Sequence, residues 1–368
     1  MKNISENKII IATGGTGGHV IPAYSLAKDL IKKNFDVKII TDSRGLVFLE
    51  KFKDVKLIVN NSSTVYGKNI LKILFSSIRI IISVINSLII LFRIKPFLIF
   101  GMGGYASFPV CIAAKLLKIP FIIYENNLLI GKSNKYLLPL ARKILISYDE
   151  IEGLSEKFKN KIVRTGNILR EEILNFIPKS SKFNNNLKIL VLGGSQAAKV
   201  FGEVLPTVFE KCKQQGINLE IIQQCIKSQN DYLAIFYKKI GIKFELFNFT
   251  NEIVSYYAKA DLVITRSGSS VTAELINCKI PFISIPYPFS ADSHQEKNAN
   301  YLEKKGYCFL IRENEIQEKL FFLIKSVNQD REILNNIVKK QLNHTDKNVF
   351  SVISNEIKII LDEKNSAR

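Results

Sequence analysis

The sequence predicts an α/β protein made of two Rossmann-like domains, each with a parallel sheet. Its 368 residues exceed what one compact core usually holds, so two domains is the expected number. Two stretches, Leu98–Asn126 and Leu262–Tyr287, share one order: a strand, a Gly/Ser turn, a helix and a KIPF sequence that opens another strand. Because strands that alternate with helices form parallel sheets, this repetition indicates one such sheet in each half of the chain.

The first strand–helix–strand unit lies near the amino terminus. Ile9–Ala12 is an apolar β-branched run, a glycine-rich turn follows it, and Ile21–Lys33 has amphipathic helical spacing. Val37–Thr41 then predicts the second strand, and we expect Asp42 to cap a helix or turn rather than to bind a ribose. The preceding residues contain charges and only a short apolar run, unlike a signal peptide, so we expect a cytoplasmic start.

The second half repeats this plan. Lys188–Leu192 predicts a strand that leads into a GGS turn, and the linker-like composition of Phe176–Asn186 marks the seam between the halves. We therefore predict domains at 1–166 and 187–340. Apolar residues at helical spacing over 347–364 predict a terminal helix that can pack on either half, and we assign it, as 347–368, to the first domain.

The chain is strongly basic, with 52 Lys and Arg against 33 Asp and Glu and a formal net charge of +19. This excess favours phosphate-bearing partners, which include nucleotides, anionic lipid headgroups and nucleic acid. We do not expect nucleic acid to be a partner, because the sequence has no nucleic-acid recognition motif and no basic run with interleaved aromatic residues. The five cysteines form no CxxC pair, so we expect buried free thiols and no metal site.

One apolar segment, Ile70–Phe92, is nearly as long as a membrane span. Polar residues recur along it at three- and four-residue steps, which favours an amphipathic crossover helix of the first domain over a transmembrane helix. We expect the apolar residues beside this polar stripe to contact an anionic membrane surface, with completion of a large core as the alternative. The stripe comprises Lys72, Ser76, Arg79, Ser83 and Asn86, and the predicted membrane contacts are Phe75, Ile78, Ile82, Ile85 and Leu116.

The loop GGTGGH, from Gly14 to His19, follows a strand and opens a helix. Its glycines let backbone N–H groups approach an anion, and the helix amino terminus adds positive potential, so the loop predicts a phosphate site. It matches neither a P-loop nor the GxGxxG dinucleotide fingerprint. His19 is one of only three histidines and suits proton abstraction from a sugar hydroxyl, with a structural role as an equal alternative.

Three further charged residues lie beside turn signals. Arg170 in GNILR and Arg266 in RSGSS can each bind a phosphate, although a surface ion pair is the ordinary role of a single Arg. Glu274 follows RSGSS in a predicted helix and is placed to accept two hydrogen bonds from a ribose diol. A solvated helix residue is the ordinary alternative for Glu274.

Six motifs occur in an order and at spacings that resemble the MurG family: GGTGGHVIPA, GMGGY, YEN, GGSQ, RSGSSVTAE and DSHQEKNA. The resemblance covers nearly the whole chain. It implies a GT-B fold, in which two Rossmann-like domains with parallel sheets face a central cleft. It also implies transfer of GlcNAc from UDP-GlcNAc to the MurNAc 4-hydroxyl of undecaprenyl-pyrophosphoryl-MurNAc-pentapeptide (lipid I), with inversion, to give lipid II in peptidoglycan synthesis. The alternatives are another GT-B nucleotide-sugar transferase with a different lipid acceptor and a non-catalytic basic membrane-binding protein.

The resemblance implies roles for individual residues. His19 is the expected catalytic base, and Glu125 is its rival. Tyr105 would line the acceptor side, Asn127 would meet the donor sugar or the acceptor, and the Thr250 backbone would recognise uracil. Together with the residues argued above, the predicted substrate-binding set is Thr16, Gly17, Gly18, Tyr105, Asn127, Arg170, Ser195, Thr250, Arg266, Ser269, Ser270, Val271, Thr272, Ala273, Glu274, His294, Gln295 and Asn298.

The sequence departs from the family pattern at several positions. Where the family usually has HEQN, this chain has Tyr124 in place of the His and Asn126 in place of the Gln. Where the family usually has GNPVR, this chain has Ile168 and Leu169 in place of the Pro and Val, and Ala197 replaces a usual glycine. None of these changes removes a charged or nucleophilic group, so we expect activity to be retained.

The resemblance also implies the setting of the reaction. There is no DxD metal motif, so we expect no cofactor, while a divalent cation beside the diphosphate stays open. The expected partners are UDP-GlcNAc, lipid I and an anionic membrane surface, and proteins of cell-wall synthesis or division stay open as further partners. A lipid-linked acceptor implies a peripheral protein on the cytoplasmic face of the bacterial plasma membrane.

Overall fold

The computed structural model describes residues 7–50, 52, 54–61, 70–178, 186–194, 198–250 and 252–366, without the side chains of 70–73. The chain divides into two compact units, which are described separately. Unit 1 is Met1–Arg170 with Asp346–Arg368, and unit 2 is Glu171–Thr345. The chain therefore enters unit 2 shortly before the predicted linker at Phe176–Asn186, and its terminal helix belongs to unit 1.

Unit 1 contains a parallel sheet that has, within the described residues, seven strands in the order β3-β2-β1-β4-β5-β6-β7. Its strands are β1 (Lys8–Ala12), β2 (Asp36–Thr41), β3 (Lys56–Val59), β4 (Leu98–Gly101), β5 (Phe121–Glu125), β6 (Lys143–Ile146) and β7 (Ile162–Arg164). Its helices are α1 (Gly17–Lys32), α2 (Ser43–Leu49), α3 (Ile70–Ile94), α4 (Ser107–Leu116), α5 (Lys132–Leu137) and the terminal helix α14 (Val349–Ser366).

Unit 2 contains a second parallel sheet, whose described strands follow the order β10-β9-β8-β11-β12-β13. Its strands are β8 (Leu187–Leu192), β9 (Leu219–Gln224), β10 (Lys243–Phe247), β11 (Leu262–Thr265), β12 (Phe282–Ser284) and β13 (Phe309–Leu310). Its helices are α6 (Glu171–Leu174), α7 (Lys199–Gln214), α8 (Asn230–Lys239), α9 (Ile253–Lys259), α10 (Ser269–Cys278), α11 (His294–Lys304), α12 (Ile316–Gln329) and α13 (Glu332–Gln341).

Both cores form where strands are covered by helices. Ile9, Ile10 and Ile11 are all fully buried, as expected for a central parallel strand with both faces covered. The KIPF repeat has the same geometry in both units, because Lys118 and Lys279 have positive φ angles of 57° and 59° and the next strand starts at the KIPF phenylalanine. The predicted α/β class with two parallel sheets is confirmed.

Helix α3 packs part of its polar stripe against the rest of unit 1. Ser83 and Ser87 are buried, and Asn60 donates hydrogen bonds from Nδ2 to the Ser83 carbonyl at 3.1 Å and to Ser87 Oγ at 2.8 Å. The predicted stripe therefore splits, since Arg79 and Asn86 are exposed whereas Ser83 faces the unit.

The apolar side of α3 faces outward. The exposed fractions of Phe75, Ile78, Ile82 and Ile85 are 64%, 47%, 52% and 51%, and Leu116 on the neighbouring α4 is 63% exposed. These values exclude the alternative in which the residues complete a hydrophobic core. Among the described residues, Leu74–Ile94 is the one helical stretch long and apolar enough to cross a membrane by length and composition.

Candidate functional site

The glycine-rich loop after β1 is held by Asp42 at the end of β2. The Asp42 carboxylate accepts hydrogen bonds from the backbone N–H of Gly15 at 3.0 Å and of Gly45 at 2.8 Å, so it caps α2 as predicted. Burial alone raises the pKa of Asp42, but these two backbone donors and Arg44 outweigh it, and the pKa is lowered. A Cβ at Gly14 would lie 2.5 Å from the Ala106 Cβ, which explains the glycine there.

His19 lies in the first turn of α1, against the glycines of the GMGGY motif. Its ring is half-buried, and its Nδ1 and Cε1 atoms lie 3.0 Å from where a Gly103 Cβ would be. Gly103 and Gly104 have φ angles of 85° and 73°, a left-handed conformation that glycine adopts without strain. The GMGGY motif therefore lacks side chains so that the imidazole can pack on its backbone.

Asn126 ties the end of β5 to the His19 loop. Its Nδ2 donates a 2.9 Å hydrogen bond to the carbonyl of Gly18, the residue before His19. In the sequence, Asn126 is distinguished only as a departure from HEQN, and its position directly after a buried strand is the signal that could have identified this contact.

Glu125 is buried, with an exposed fraction of 2%. Its Oε1 accepts hydrogen bonds from the backbone N–H and Nδ2 of Asn127, both at 3.1 Å. Its Oε2 accepts from the Gly131 N–H at 2.8 Å and from Asn134 Nδ2 at 3.0 Å. Both carboxylate oxygens are therefore engaged in holding the loop after β5, which sequence reasoning did not anticipate because Asn134 belongs to no predicted motif.

Tyr124, a second departure from HEQN, connects β5 with the segment that carries Arg170. Its hydroxyl lies 2.8 Å from Ser147 Oγ and accepts a 3.1 Å hydrogen bond from the Ile168 N–H. Burial raises the pKa of Tyr124. Asn167 in the same segment donates from its backbone N–H and Nδ2 to the Asp346 carboxylate, at 3.0 and 3.1 Å.

In unit 2, Glu274 lies one turn into α10, and its exposed fraction is 8%. The hydroxyl of Tyr257 donates a 2.8 Å hydrogen bond to its Oε2. The amino terminus of α10 lies at Ser269–Val271, directly after Gly268, so this end of the helix combines backbone N–H groups with a fixed carboxylate.

Arg266, which is predicted as a phosphate ligand, has several protein partners around its guanidinium. Its guanidinium is ion-paired with Glu313 and donates to the Pro286 carbonyl at 3.3 Å. The same group lies 4.8 Å from the Phe201 ring centroid and 5.3 Å from that of Tyr287. It is 7% exposed and held by these partners, as in the ion-pair alternative, and its binding of a phosphate stays a prediction.

The DSHQEKN motif begins with a strained turn and continues into the first residues of α11. Asp292 and Ser293 have φ angles of 50° and 54°, which few residues other than glycine adopt. His294 Nδ1 lies 2.7 Å from the Ala291 carbonyl, and Gln295 Oε1 accepts a 3.0 Å hydrogen bond from the Tyr287 N–H.

The remaining predicted residues divide between the two units. In unit 1, Thr16 is exposed, Gly17 is buried, and Gly18, Tyr105, Asn127 and Arg170 are half-buried. In unit 2, Thr250, Ser270 and Val271 are half-buried, and Thr272, Ala273 and Asn298 are buried. Ser195 and Ala197 lie outside the described residues, as does the side chain of Lys72.

No cluster of three or more His, Cys, Asp or Glu side chains suited to a metal ion occurs within the described part of the chain. The five cysteines are buried and free, as predicted.

Comparisons with known proteins identify relatives over most of the chain. The glycosyltransferase family 28 N-terminal domain matches residues 9–146, and the family 28 C-terminal domain matches residues 188–353. A UDP-N-acetylglucosamine–N-acetylmuramyl-(pentapeptide) pyrophosphoryl-undecaprenol N-acetylglucosamine transferase of Rickettsia canadensis (strain McKiel) is 37% identical over 342 residues, which cover 91% of this chain and 95% of that protein. The protein of the same name from Pelagibacter ubique (strain HTCC1062) is 36% identical over 91% of this chain and 93% of its own.

A solved structure supports the same relationship at the level of the fold. The crystal structure of Acinetobacter baumannii MurG is 23% identical to this chain, with a TM-score of 0.77, and the match covers 97% of this chain and 99% of that one. At this identity the likeness concerns the fold alone.

Proposed function

The chain belongs to the MurG family of N-acetylglucosamine transferases, and from this premise we propose that it transfers GlcNAc from UDP-GlcNAc to the MurNAc 4-hydroxyl of lipid I. The product is lipid II, an intermediate of peptidoglycan synthesis. The acceptor oxygen attacks the anomeric carbon from the side opposite to the diphosphate, so the configuration inverts. As the new glycosidic bond forms, the bond between the anomeric carbon and the diphosphate oxygen breaks. The electron pair of the broken bond stays with the departing UDP.

His19 is the proposed base that takes the proton of the acceptor hydroxyl. The observation that carries this assignment is its packing on the bare backbone of Gly103 and Gly104, in the unit that holds the GMGGY and YENN motifs. A half-buried imidazole held in this way can accept a proton without a large rearrangement. Tyr105, next to these glycines, and Thr16–Gly18 are the proposed neighbours of the acceptor and the donor sugar.

Glu125 is proposed to position the loop rather than to act as the base. Each of its two carboxylate oxygens already accepts two hydrogen bonds and the side chain is 2% exposed, so the carboxylate is engaged within the loop rather than directed at a substrate hydroxyl. Two of them come from Asn127, so the effect of Glu125 on the reaction is expected to pass through the placement of that amide.

Unit 2 is proposed to bind the donor nucleotide. The amino terminus of α10 favours negative charge on the leaving diphosphate, and Glu274, which accepts a hydrogen bond from Tyr257, is proposed to accept hydrogen bonds from the ribose diol. His294 and Gln295 are the proposed contacts of the GlcNAc hydroxyls. The backbone of Thr250 is the proposed contact of the uracil base. Arg170, at the end of unit 1, is proposed to pair with the diphosphate.

The apolar side of α3 is proposed to lie in the interface of an anionic membrane, where a lipid-linked acceptor is anchored. Arg79 lies 5.3 Å from the Phe75 ring, and Lys115 and Lys118 are exposed on either side of Leu116, so cations border the apolar surface. An interfacial position agrees better than a transmembrane one with the buried contacts of Ser83 and Ser87. We therefore propose a peripheral protein on the cytoplasmic face of the bacterial plasma membrane.

The test of this function is UDP release by the purified protein with UDP-GlcNAc and a short-chain lipid I analogue. We expect release only when both substrates are present, and much slower release with UDP-glucose or UDP-GalNAc. Parallel reactions with Mg²⁺ and with EDTA decide whether a divalent cation takes part. Retention on anionic vesicles without any UDP release would contradict the proposal and favour a non-catalytic membrane-binding protein.

A further inference from the structure

A buried amide in unit 2 bridges two loops. Gln224 is the last residue of β9, and its exposed fraction is 7%. Its Oε1 accepts a 3.1 Å hydrogen bond from the Gly193 N–H, and its Nε2 donates a 3.3 Å hydrogen bond to the Asn248 carbonyl. One side chain thus connects the loop after β8 with the loop after β10.

The sheet order explains how one residue reaches both loops. Strand β9 lies between β8 and β10, and the carboxyl ends of all three parallel strands meet at one edge of the sheet. A side chain at the end of the middle strand can therefore contact the loops that follow its two neighbours. The amide of Gln224 supplies the acceptor that an N–H needs and the donor that a carbonyl needs.

The loop after β10 is also held from its other side. Asn248 donates from Nδ2 to the Cys225 carbonyl and to Asn230 Oδ1, both at 2.9 Å. The backbone and the side chain of Asn248 are therefore both restrained, two residues before Thr250.

We propose that Gln224 is a positioning residue for the nucleoside diphosphate of the donor. This inference rests on the proposed function, in which unit 2 binds the donor nucleotide, and it adds that the loop opened by Gly193 and Gly194 after β8 lies at the diphosphate while the backbone around Thr250 recognises the base. A nucleotide spans both loops, so it binds most tightly when their separation already matches its length. Gln224 fixes that separation and contacts neither end of the ligand.

The test compares steady-state kinetics of the wild-type protein with those of Gln224→Met, which keeps the side-chain length but forms neither hydrogen bond. We expect the KM for UDP-GlcNAc to rise roughly tenfold, the usual effect of one or two lost hydrogen bonds, and kcat to change less than about twofold. Asn230→Ala loosens the same loop from its other side and is expected to raise KM a few-fold. It carries the test if Gln224→Met fails to fold.

The matched control is Tyr237→Phe. The Tyr237 hydroxyl donates a 2.6 Å hydrogen bond to Gln223 Oε1, so this variant removes a buried bond from the preceding residue of the same strand without touching either loop. It should lower the melting temperature and leave KM unchanged. A folded Gln224→Met protein with the wild-type KM, or an equal rise of KM in Tyr237→Phe, would overturn the positioning role alone. A wild-type protein that does not bind UDP would overturn the proposed function as well.

Discussion

Asn126 donates a 2.9 Å hydrogen bond from its side chain to the backbone carbonyl of Gly18, and this bond joins the end of β5 to the residue before His19. It crosses 108 positions of sequence and links two motifs that the sequence shows only as separate. The placement of the proposed base therefore depends on a side chain outside its own loop.

Loss of this bond should slow the reaction. We expect Asn126→Ala to lower kcat by roughly five- to tenfold, because one hydrogen bond no longer holds the His19 loop, and to leave UDP affinity unchanged. Asn126→Gln, which restores the usual residue of the family, should retain most of the activity. Asn61→Ala is the control, since it removes a 2.9 Å bond to the Ser43 N–H elsewhere in unit 1. Equal losses in both alanine variants would rule out a specific role.

The roles proposed for His19 and Glu125 can be separated by their pH profiles. His19→Ala should lower kcat by ~10²-fold or more and abolish the acid limb of the kcat profile, because the group that accepts the proton is gone. Glu125→Gln should also lower kcat, since an amide cannot accept all four hydrogen bonds, but the acid limb should remain. If Glu125→Gln removes the limb while His19→Ala costs only a few-fold, the two roles must be exchanged.

Glu274 is expected to contribute to nucleotide affinity. Glu274→Ala should weaken UDP binding by about 1.5–3 kcal/mol, the usual cost of losing a hydrogen bond to a charged group. Tyr257→Phe should weaken it less, because the carboxylate remains but loses the partner that orients it. Calorimetry on the folded variants measures both effects. The control is Glu245→Ala, a partly exposed carboxylate of unit 2 paired with Lys259, and an unchanged affinity in Glu274→Ala would refute the ribose assignment.

Asp42 should make the stability of unit 1 depend on pH. Its folded pKa lies below the ordinary value of 3.8, so its charged form stabilises the fold above pH 3.8, and this contribution is lost as the pH falls through the folded pKa. We expect Asp42→Ala to cost about 0.5–2 kcal/mol of unfolding free energy at pH 7 and less in strong acid. Urea unfolding at several pH values measures this difference. Asp36→Ala, an exposed position at the start of β2, should show no such trend.

The surface of α3 offers a test of membrane binding. Replacement of Phe75, Ile82 and Ile85 by Ser should reduce sedimentation with anionic vesicles, because these exposed side chains no longer enter the interface. Turnover of a soluble short-chain acceptor should be largely retained. The control replaces Val47, Ile235 and Phe322, which are 65%, 69% and 60% exposed and lie on other helices. Undiminished vesicle binding by the α3 variant would place the membrane contact elsewhere.

The architecture and the order of the motifs were determined by the sequence itself. Strand runs such as Ile9–Ala12, the glycine turns and the KIPF repeats are local patterns, and local sterics and burial turn them into strands and helices wherever they occur. The capping role of Asp42 and the outward position of Phe75, Ile82 and Ile85 also followed from such patterns. The family relationship was evident for the same reason, because motif order is a linear property.

The partners of individual side chains were decided only by the tertiary structure. Arg266 pairs with Glu313, Glu125 accepts from Asn134, and Asn60 turns Ser83 inward, although no spacing rule connects the members of these pairs. Arg266 and Glu313 follow strands whose carboxyl ends lie at one edge of the sheet, and Asn60 meets Ser83 because the crossover helix α3 returns along the sheet. Asn134 reaches Glu125 from the helix that follows β5. Whether a charged residue binds a ligand or another residue depends on these distant neighbours, so its chemical type and its motif alone cannot assign its role.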